Sequence, residues 1–444
     1  MNRAAFEKKP RSQREQTLLE KSEQYLACGI RSASINPDYS MVITGGKGAR
    51  VTDASGNEYL DYLLGSGPMF LGHSHPAMVR AVQQRVGNGN SFLLSNDVAI
   101  ELAEEIARVV PCVEKVSFHN SGSEATFFAL RLARAYRNRD KLLKFEGAYH
   151  GMHDQALMSA QWTTQVADFP EAVPNSAGIS SRSRDDVLIA PFNDLEMTSQ
   201  IIRQHADELG CVMVEPLCRT FVPAPGFLQG LREITRELDI PLVFDEVVTG
   251  FRLALGGAQE YYAVTPDLCA GAKAISGGLP FGFVGGRAQI MDLAGAAGMK
   301  AGNHVRLTGT FSGNVLSTSV ALALLNELQA PGLYAEVNAR GLRLKNALSE
   351  LLREAEIPAR VIGEPTAFQP WFLEGEVYDH RSSLALDWKR HFKLQDLLLD
   401  RGILKSQEKF FVSTAHSNQD IDDTITALAE LMPELKVVRR NENR

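Results

Sequence analysis

Between Lys115 and Phe244 the chain repeats one pattern: a short apolar run, then a longer stretch with helical character. The runs are Lys115-Val116-Ser117-Phe118, Lys141-Leu142-Leu143-Lys144-Phe145, Val187-Leu188-Ile189-Ala190, Cys211-Val212-Met213-Val214 and Pro241-Leu242-Val243-Phe244. Strands that alternate with helices predict an α/β domain, a mostly parallel sheet with helices on both faces. Open sheets of this kind bind ligands beyond the carboxyl ends of their strands, which makes the residues just after each run the ones to inspect.

Outside this region the pattern changes. Leu18, Leu19, Tyr25 and Leu26, set among charged residues, predict an amphipathic helix over 13–27, or an arm packed on a partner subunit. Met41-Val42-Ile43, Arg50-Val51-Thr52 and Asn57-Glu58-Tyr59-Leu60-Asp61 lie between turn signals and predict a small antiparallel sheet. An Ala- and Leu-rich helix over 315–329 leads into a C-terminal part of mixed character. The expected organisation is an N-terminal arm and part of a small domain over 1–75, a large domain over 76–325, and the rest of the small α+β domain over 326–444.

Composition narrows the function. With 44% hydrophobic and 22% charged residues the chain is an ordinary globular protein. A net charge of −7 argues against capture of nucleic acid or an anionic membrane, and so for small-molecule partners. Five cysteines, odd in number and without a Cys-x-x-Cys pair, predict reduced thiols rather than a disulfide frame or a metal site. The charged N-terminus has no apolar core of a secretory signal, and no stretch of 18 apolar residues occurs, so the expected location is the cytoplasm.

Three strand ends carry candidate chemistry. Ser121-Gly122-Ser123 follows the first run and opens a helix near Glu124, where free N–H groups and the positive helix end can cradle a phosphate; a plain serine cap is the simpler alternative. Asp245 and Glu246 end the Pro241 run and should point to opposite faces; Asp245 can pair with a protonated ring nitrogen, or serve in a salt bridge or as a metal ligand, the last disfavoured by the lack of nearby His or Cys in sequence. Lys273, amid Gly271, Ala272, Gly277 and Gly278, has the apolar setting that lowers a lysine pKa and makes a nucleophilic amine, although a snorkelling lysine has the same surroundings.

In order, the phosphate turn, Gly147-Ala148-Tyr149-His150-Gly151, the Asp-Glu strand end and the Gly-flanked lysine resemble the class III aminotransferases over nearly the whole chain. The resemblance implies a fold-type I, pyridoxal-phosphate (PLP) dependent transferase, with a large domain built on a mostly parallel seven-stranded sheet. It implies that Lys273 carries PLP as a Schiff base and shuttles the substrate proton, and that Asp245 pairs with the pyridinium nitrogen. By the same resemblance Ser121, Gly122 and Ser123 hold the phosphate, Tyr149 and Val247 cover the two faces of the ring, and His150 and Glu215 support it. Gly309-Thr310 matches a segment that reaches the phosphate of a neighbouring subunit, which implies a homodimer with shared active sites. No metal is implied.

Segments such as Gly67-Pro68-Met69-Phe70-Leu71-Gly72-His73 and Ser413-Thr414-Ala415-His416 look closest to glutamate-1-semialdehyde 2,1-aminomutases and the transaminases that share their framework. Three departures bear on substrate. Arg31 is out of register with the aminomutase's carboxylate-binding arginine, Ser66 stands where the aminomutase has Trp, and the Ser406-Gln407-Glu408-Lys409 stretch is one residue shorter. These favour an aminotransferase moving an amino group from an amino donor to an oxo acceptor by a ping-pong mechanism, with an aminomutase or a PLP-dependent racemase as alternatives. Arg31, Arg219, Arg252, Lys405 and Lys409 are the candidates for binding a substrate carboxylate.

Overall fold

The structure, a computed structural model, describes residues 10–29, 34–161 and 163–438. The chain forms two compact units: one from Met1–His75, Gly332–Val377 and Ala385–Arg444, the other from Pro76–Pro331 and Tyr378–Leu384. Strands β1 (Ile43–Lys47), β2 (Arg50–Asp53) and β3 (Glu58–Asp61) open the first unit. The second contains β4 (Lys115–His119), β5 (Lys141–Phe145), β6 (Val187–Ala190), β7 (Leu209–Val214), β8 (Leu242–Glu246), β9 (Leu268–Gly271) and β10 (Gly282–Gly286). The first unit is completed by β11 (Arg360–Glu364), β12 (Ala367–Trp371), β13 (Ile403–Leu404) and β14 (Phe410–Phe411).

The second unit is built on a seven-stranded sheet in the order β4-β10-β9-β8-β7-β5-β6. All its strands run parallel except β10, which is antiparallel to both its neighbours. The five apolar runs of the sequence are five of these strands. The other two lack such a run because glycines are needed where neighbours press close. A Cβ on Gly271 would lie 2.2 Å from the Phe283 ring, and one on Gly282 would lie 2.4 Å from the Ser121 carbonyl oxygen. The helix Gly122–Arg137 lays Ala125, Ala129, Leu130 and Ala133 on Leu142, Met213, Val243 and Ala270, and all of these are buried. The alanines let the helix seat closely on the sheet, and so fix where its N-terminus lies. Phe145, three residues from Leu142 and hence on the opposite face, packs with Phe192 and Phe227.

In the other unit β13 pairs in parallel with β3, through Leu60 and Ile403, so both chain ends share one four-stranded sheet in the order β1-β2-β3-β13. A three-stranded sheet, β11-β12-β14, stands beside it in the same unit. The N-terminal helix spans Gln13–Tyr25, as its spacing predicts, but Tyr25 and Leu26 are exposed. The residue it buries is Glu15, whose carboxylate accepts from Val42 N at 2.8 Å and bonds the Ser55 hydroxyl. Polar anchoring, not an apolar stripe, seats this helix in its own chain. The first strand begins at Ile43 rather than Met41 and continues through Gly45 and Gly46, where glycine hides a strand from a reading based on apolar alternation. Among the described residues no helix is long and apolar enough to cross a membrane.

Candidate active site

The strand ends singled out by the sequence lie at or just beyond the carboxyl ends of β4, β8 and β9 in the seven-stranded sheet. Ser121 is the N-cap of the 16-residue helix Gly122–Arg137, and its hydroxyl accepts from Glu124 N at 3.1 Å. This leaves the first-turn N–H groups of Gly122 and Ser123 without helical acceptors, at the positive end of a well-packed helix. The helix begins at Gly122, two residues earlier than Glu124. Gly122 is required here: a Cβ would sit 2.9 Å from both methyl groups of Val247.

Asp245, on β8, is 5% exposed. Its Oδ1 accepts from Val247 N at 3.0 Å, and its Oδ2 lies 2.7 Å from His150 Nδ1. Burial pushes the carboxyl up to about 7, against the Val247 N–H and the charge of Lys273, which both lower it. Burial holds His150 at about 3, with the charge of Lys144 adding to the effect, so the imidazole is neutral and donates Nδ1–H to Asp245. Its Nε2 is buried with no hydrogen-bond partner among the described residues. Glu246 points the other way, as strand alternation predicts, and accepts from Thr249 Oγ1, Ala258 N and Gln259 N. It fastens the following loop and takes no part in the site.

Tyr149 and Glu215 are joined by a link the sequence does not display. The Glu215 carboxylate accepts from Tyr149 N and Arg219 N, both at 2.9 Å, and so clamps the loops after β5 and β7 together. The Tyr149 hydroxyl bonds the Ser123 side chain, while burial raises its pKa. A Cβ on Gly151 would meet Ser123 Oγ at 2.7 Å, and Thr126 Oγ1 donates to the His150 carbonyl. The Tyr149–Gly151 turn is thus fitted directly onto the start of the helix Gly122–Arg137. Lys273 follows β9 at φ +40, half-buried, as the first residue of a 3-10 turn. Positive φ is unusual for a residue with a Cβ and marks a backbone held in place by its surroundings.

The structure brings together Ser121, Gly122, Ser123, Tyr149, His150, Glu215, Asp245, Val247 and Lys273. Gly309 and Thr310 are instead exposed, in the loop before the helix Val315–Leu328. Of the carboxylate-binding candidates, Arg31 lies outside the described residues. Arg219 is buried at φ +58, beside Glu215 through its backbone, with its guanidinium 5.7 Å from the Phe221 ring. Arg252 is fully buried and donates to the Val248 carbonyl. In the other unit Lys405 is buried against the Phe410 ring and donates to the Ser406 carbonyl, while Lys409 lies 3.5 Å from the Glu408 carboxylate. One residue that sequence reasoning missed is Lys144. It is fully buried on β5 and donates to three carbonyls of the Ala148–Met158 segment. Its one sequence signal is a lysine inside an otherwise apolar strand.

His150, Glu215 and Asp245 place donor atoms within 4.8 Å of one another. Their contacts with Val247 N, Tyr149 N, Arg219 N and each other already use much of that capacity, so the cluster is better described as a hydrogen-bonded support than a metal site. The arrangement fits PLP. It offers free N–H groups at a helix end for a phosphate, a buried carboxylate in need of a positive partner for a ring nitrogen, and an amine within electrostatic reach of that carboxylate.

The comparisons agree. The chain matches the family described as aminotransferase class-III over residues 32–368. It is 36% identical over 436 residues to a glutamate-1-semialdehyde 2,1-aminomutase from Persephonella marina, covering 95% of this chain and 99% of the relative. An omega-transaminase from Sphaerobacter thermophilus has the same fold with a TM-score of 0.90 at 33% identity, covering 96% of this chain and 99% of its own. A transaminase solved with PLP bound gives a TM-score of 0.87 at 27% identity over 96% of this chain and 99% of its own. With this site on this sheet, the chain belongs to the class-III aminotransferases, PLP-dependent enzymes of fold type I.

Proposed function

We propose that this chain moves an amino group between carbon atoms with Lys273 as the acid/base and Asp245 as the partner of the cofactor's ring nitrogen. The observation that carries the reading is the buried Asp245, braced by His150 and Val247 on a strand that pairs with the one leading into Lys273. PLP, when bound, supplies an electron sink for the bond broken at the substrate carbon. The Ser121–Ser123 turn would hold its phosphate, and Tyr149 and Val247 would hold its ring. Asp245 holds a proton at the ring nitrogen, and the Lys273 amine takes a proton from the substrate carbon and returns it. Burial of His150 and Asp245 keeps water from competing for that charge.

Two substrate readings follow. Likeness to the Persephonella marina protein favours the intramolecular one, a glutamate-1-semialdehyde 2,1-aminomutase, and the comparisons support it better than the intermolecular reading that the sequence favours. Intermolecular amino transfer is the second reading. It is favoured by the Sphaerobacter thermophilus omega-transaminase and by the departures at Arg31, Ser66 and Ser406–Lys409. A second copy of the chain completes the site in either case. Phe92, Leu93, Leu94 and Phe311 are all more than half exposed, and hydrogen bonds from Asn96 to Gly313 O and from Asn314 to Asn90 O tie their two loops together beside Gly309-Thr310. An apolar patch of this kind is a sound support for a homodimer face. The free cysteines, four of them buried, support a reducing, cytoplasmic location.

The test is spectroscopic. Purified holoenzyme is given glutamate-1-semialdehyde, and separately a panel of amino donors without an acceptor. Isomerisation of the semialdehyde with the cofactor band retained establishes the aminomutase. Conversion of the band to the amino form of the cofactor, with one equivalent of oxo product, establishes the transaminase. Lys273→Ala should lose both activities by at least about a thousandfold, and retention of either would overturn the assignment of Lys273.

A further inference from the structure

Lys144 has no part in the chemistry above, yet it is among the most completely buried cations in the protein. Its neighbours Leu142, Leu143 and Phe145 are fully buried, and so is Lys144 itself. Its Nζ donates to the carbonyls of Ala148 at 2.9 Å, Ala156 at 3.3 Å and Met158 at 2.6 Å. An ammonium has three N–H donors, so all three are satisfied, and every acceptor lies on the one segment that carries Tyr149 and His150. A lysine needed only to fill space here would be replaced at lower cost by an apolar residue, because burying a cation among dipoles costs several kcal/mol before those bonds offset it.

We infer that Lys144 is a positioning residue of the cofactor site: by holding three carbonyls of the Ala148–Met158 segment, it sets Tyr149 and His150 in place before the cofactor arrives. The geometry is direct, since Ala148 precedes Tyr149 and the Glu215 clamp holds Tyr149 N from the other side. The charge works in the same direction. Burial lowers its pKa to about 8, and the Glu215 and Glu146 carboxylates that face it oppose that shift. Its positive charge, second to burial, disfavours a proton on His150. A protonated His150 would neutralise Asp245 and take the place of the ring nitrogen's proton. The inference rests on PLP binding and not on which substrate the enzyme uses.

The first test needs no variant. Hydrogen exchange of the wild-type apo-protein should show the 148–158 amides already protected, with little gain when PLP is added. Free exchange in the apo-protein, with protection appearing only on cofactor binding, would overturn the inference. The second test compares holo Lys144→Met and Lys144→Gln with wild type. Lys144→Met should raise the PLP dissociation constant at least tenfold and change the visible circular dichroism of the bound cofactor, with Lys144→Gln, which keeps two N–H donors, restoring part of both. If Lys144→Met melts earlier yet keeps wild-type PLP affinity and visible dichroism, the lysine has a structural role only. Activity enters none of these readouts, so a wrong substrate assignment cannot be mistaken for a failure of this one.

Discussion

Replacing Asp245 by Asn should make the apo-protein more stable at alkaline pH while crippling cofactor binding. The carboxyl is raised from 3.8 to about 7, with burial the first cause. Between those values the folded state binds a proton that the unfolded chain does not, so this residue costs stability as pH rises, and the full cost is present above 7. At about 1.36 kcal/mol per pH decade, the ionisable side chain costs the apo-protein about 2 kcal/mol at pH 5, where the folded carboxyl keeps its proton, and about 4 kcal/mol at pH 8, where it is charged. Asn keeps the shape, accepts from Val247 N, and donates to His150 Nδ1 once the neutral imidazole carries its proton on Nε2. His150, held at about 3, stays uncharged at both pH values and cancels in the comparison. The melting temperature of apo Asp245→Asn should therefore exceed that of wild type by more at pH 8 than at pH 5. By the proposed pairing the ring-nitrogen proton offsets the same charge in the holoenzyme, so the variant should bind PLP up to roughly a thousandfold more weakly, the equivalent of about 4 kcal/mol. A variant less stable than wild type at pH 8, or one that binds PLP as tightly, would refute the reasoning.

Two further substitutions probe the frame around that charge. Gly122→Ala puts a Cβ 2.9 Å from the Val247 methyls, so Val247 or the helix start must move at a cost of about 1–3 kcal/mol; equilibrium dialysis should show PLP affinity reduced about tenfold, and an unchanged affinity would show that Gly122 does not border the phosphate. Glu215→Gln retains one acceptor oxygen for two N–H groups, so either Tyr149 N or Arg219 N loses its bond at about 1–3 kcal/mol; urea unfolding of the holoenzyme should show the loss, and an unchanged midpoint would show that the clamp bears no stability.

The residues legible in the sequence are those whose role follows from local pattern. Asp245 and Glu246 part to opposite faces because a strand alternates, and Ser121 caps a helix because it precedes one. The order of the motifs, rather than any one of them, pointed to the family. What escaped the sequence depends on contacts between segments distant along the chain. Glu215 reaches back to Tyr149, Lys144 reads carbonyls, which leave no mark in a sequence, and Gly122 is constrained by Val247. The strand Gly282–Gly286 was hidden because its glycines make room for Ser121 and Val113 instead of supplying apolar side chains. Gly309 and Thr310 were legible by resemblance alone, since one chain leaves them exposed.

Strand β10 has a further consequence for how the enzyme is born. It lies between β4 and β9 and hydrogen-bonds both, so the Ser121–Ser123 turn after β4 and Lys273 after β9 share a sheet only once this strand has slotted in. On a ribosome adding about 5–20 residues per second, β4 waits roughly ten to thirty seconds before its partner emerges. Throughout that interval the proposed cofactor site is incomplete. PLP is therefore expected to slow unfolding more than it speeds folding, which unfolding and refolding rates measured with and without the cofactor would show.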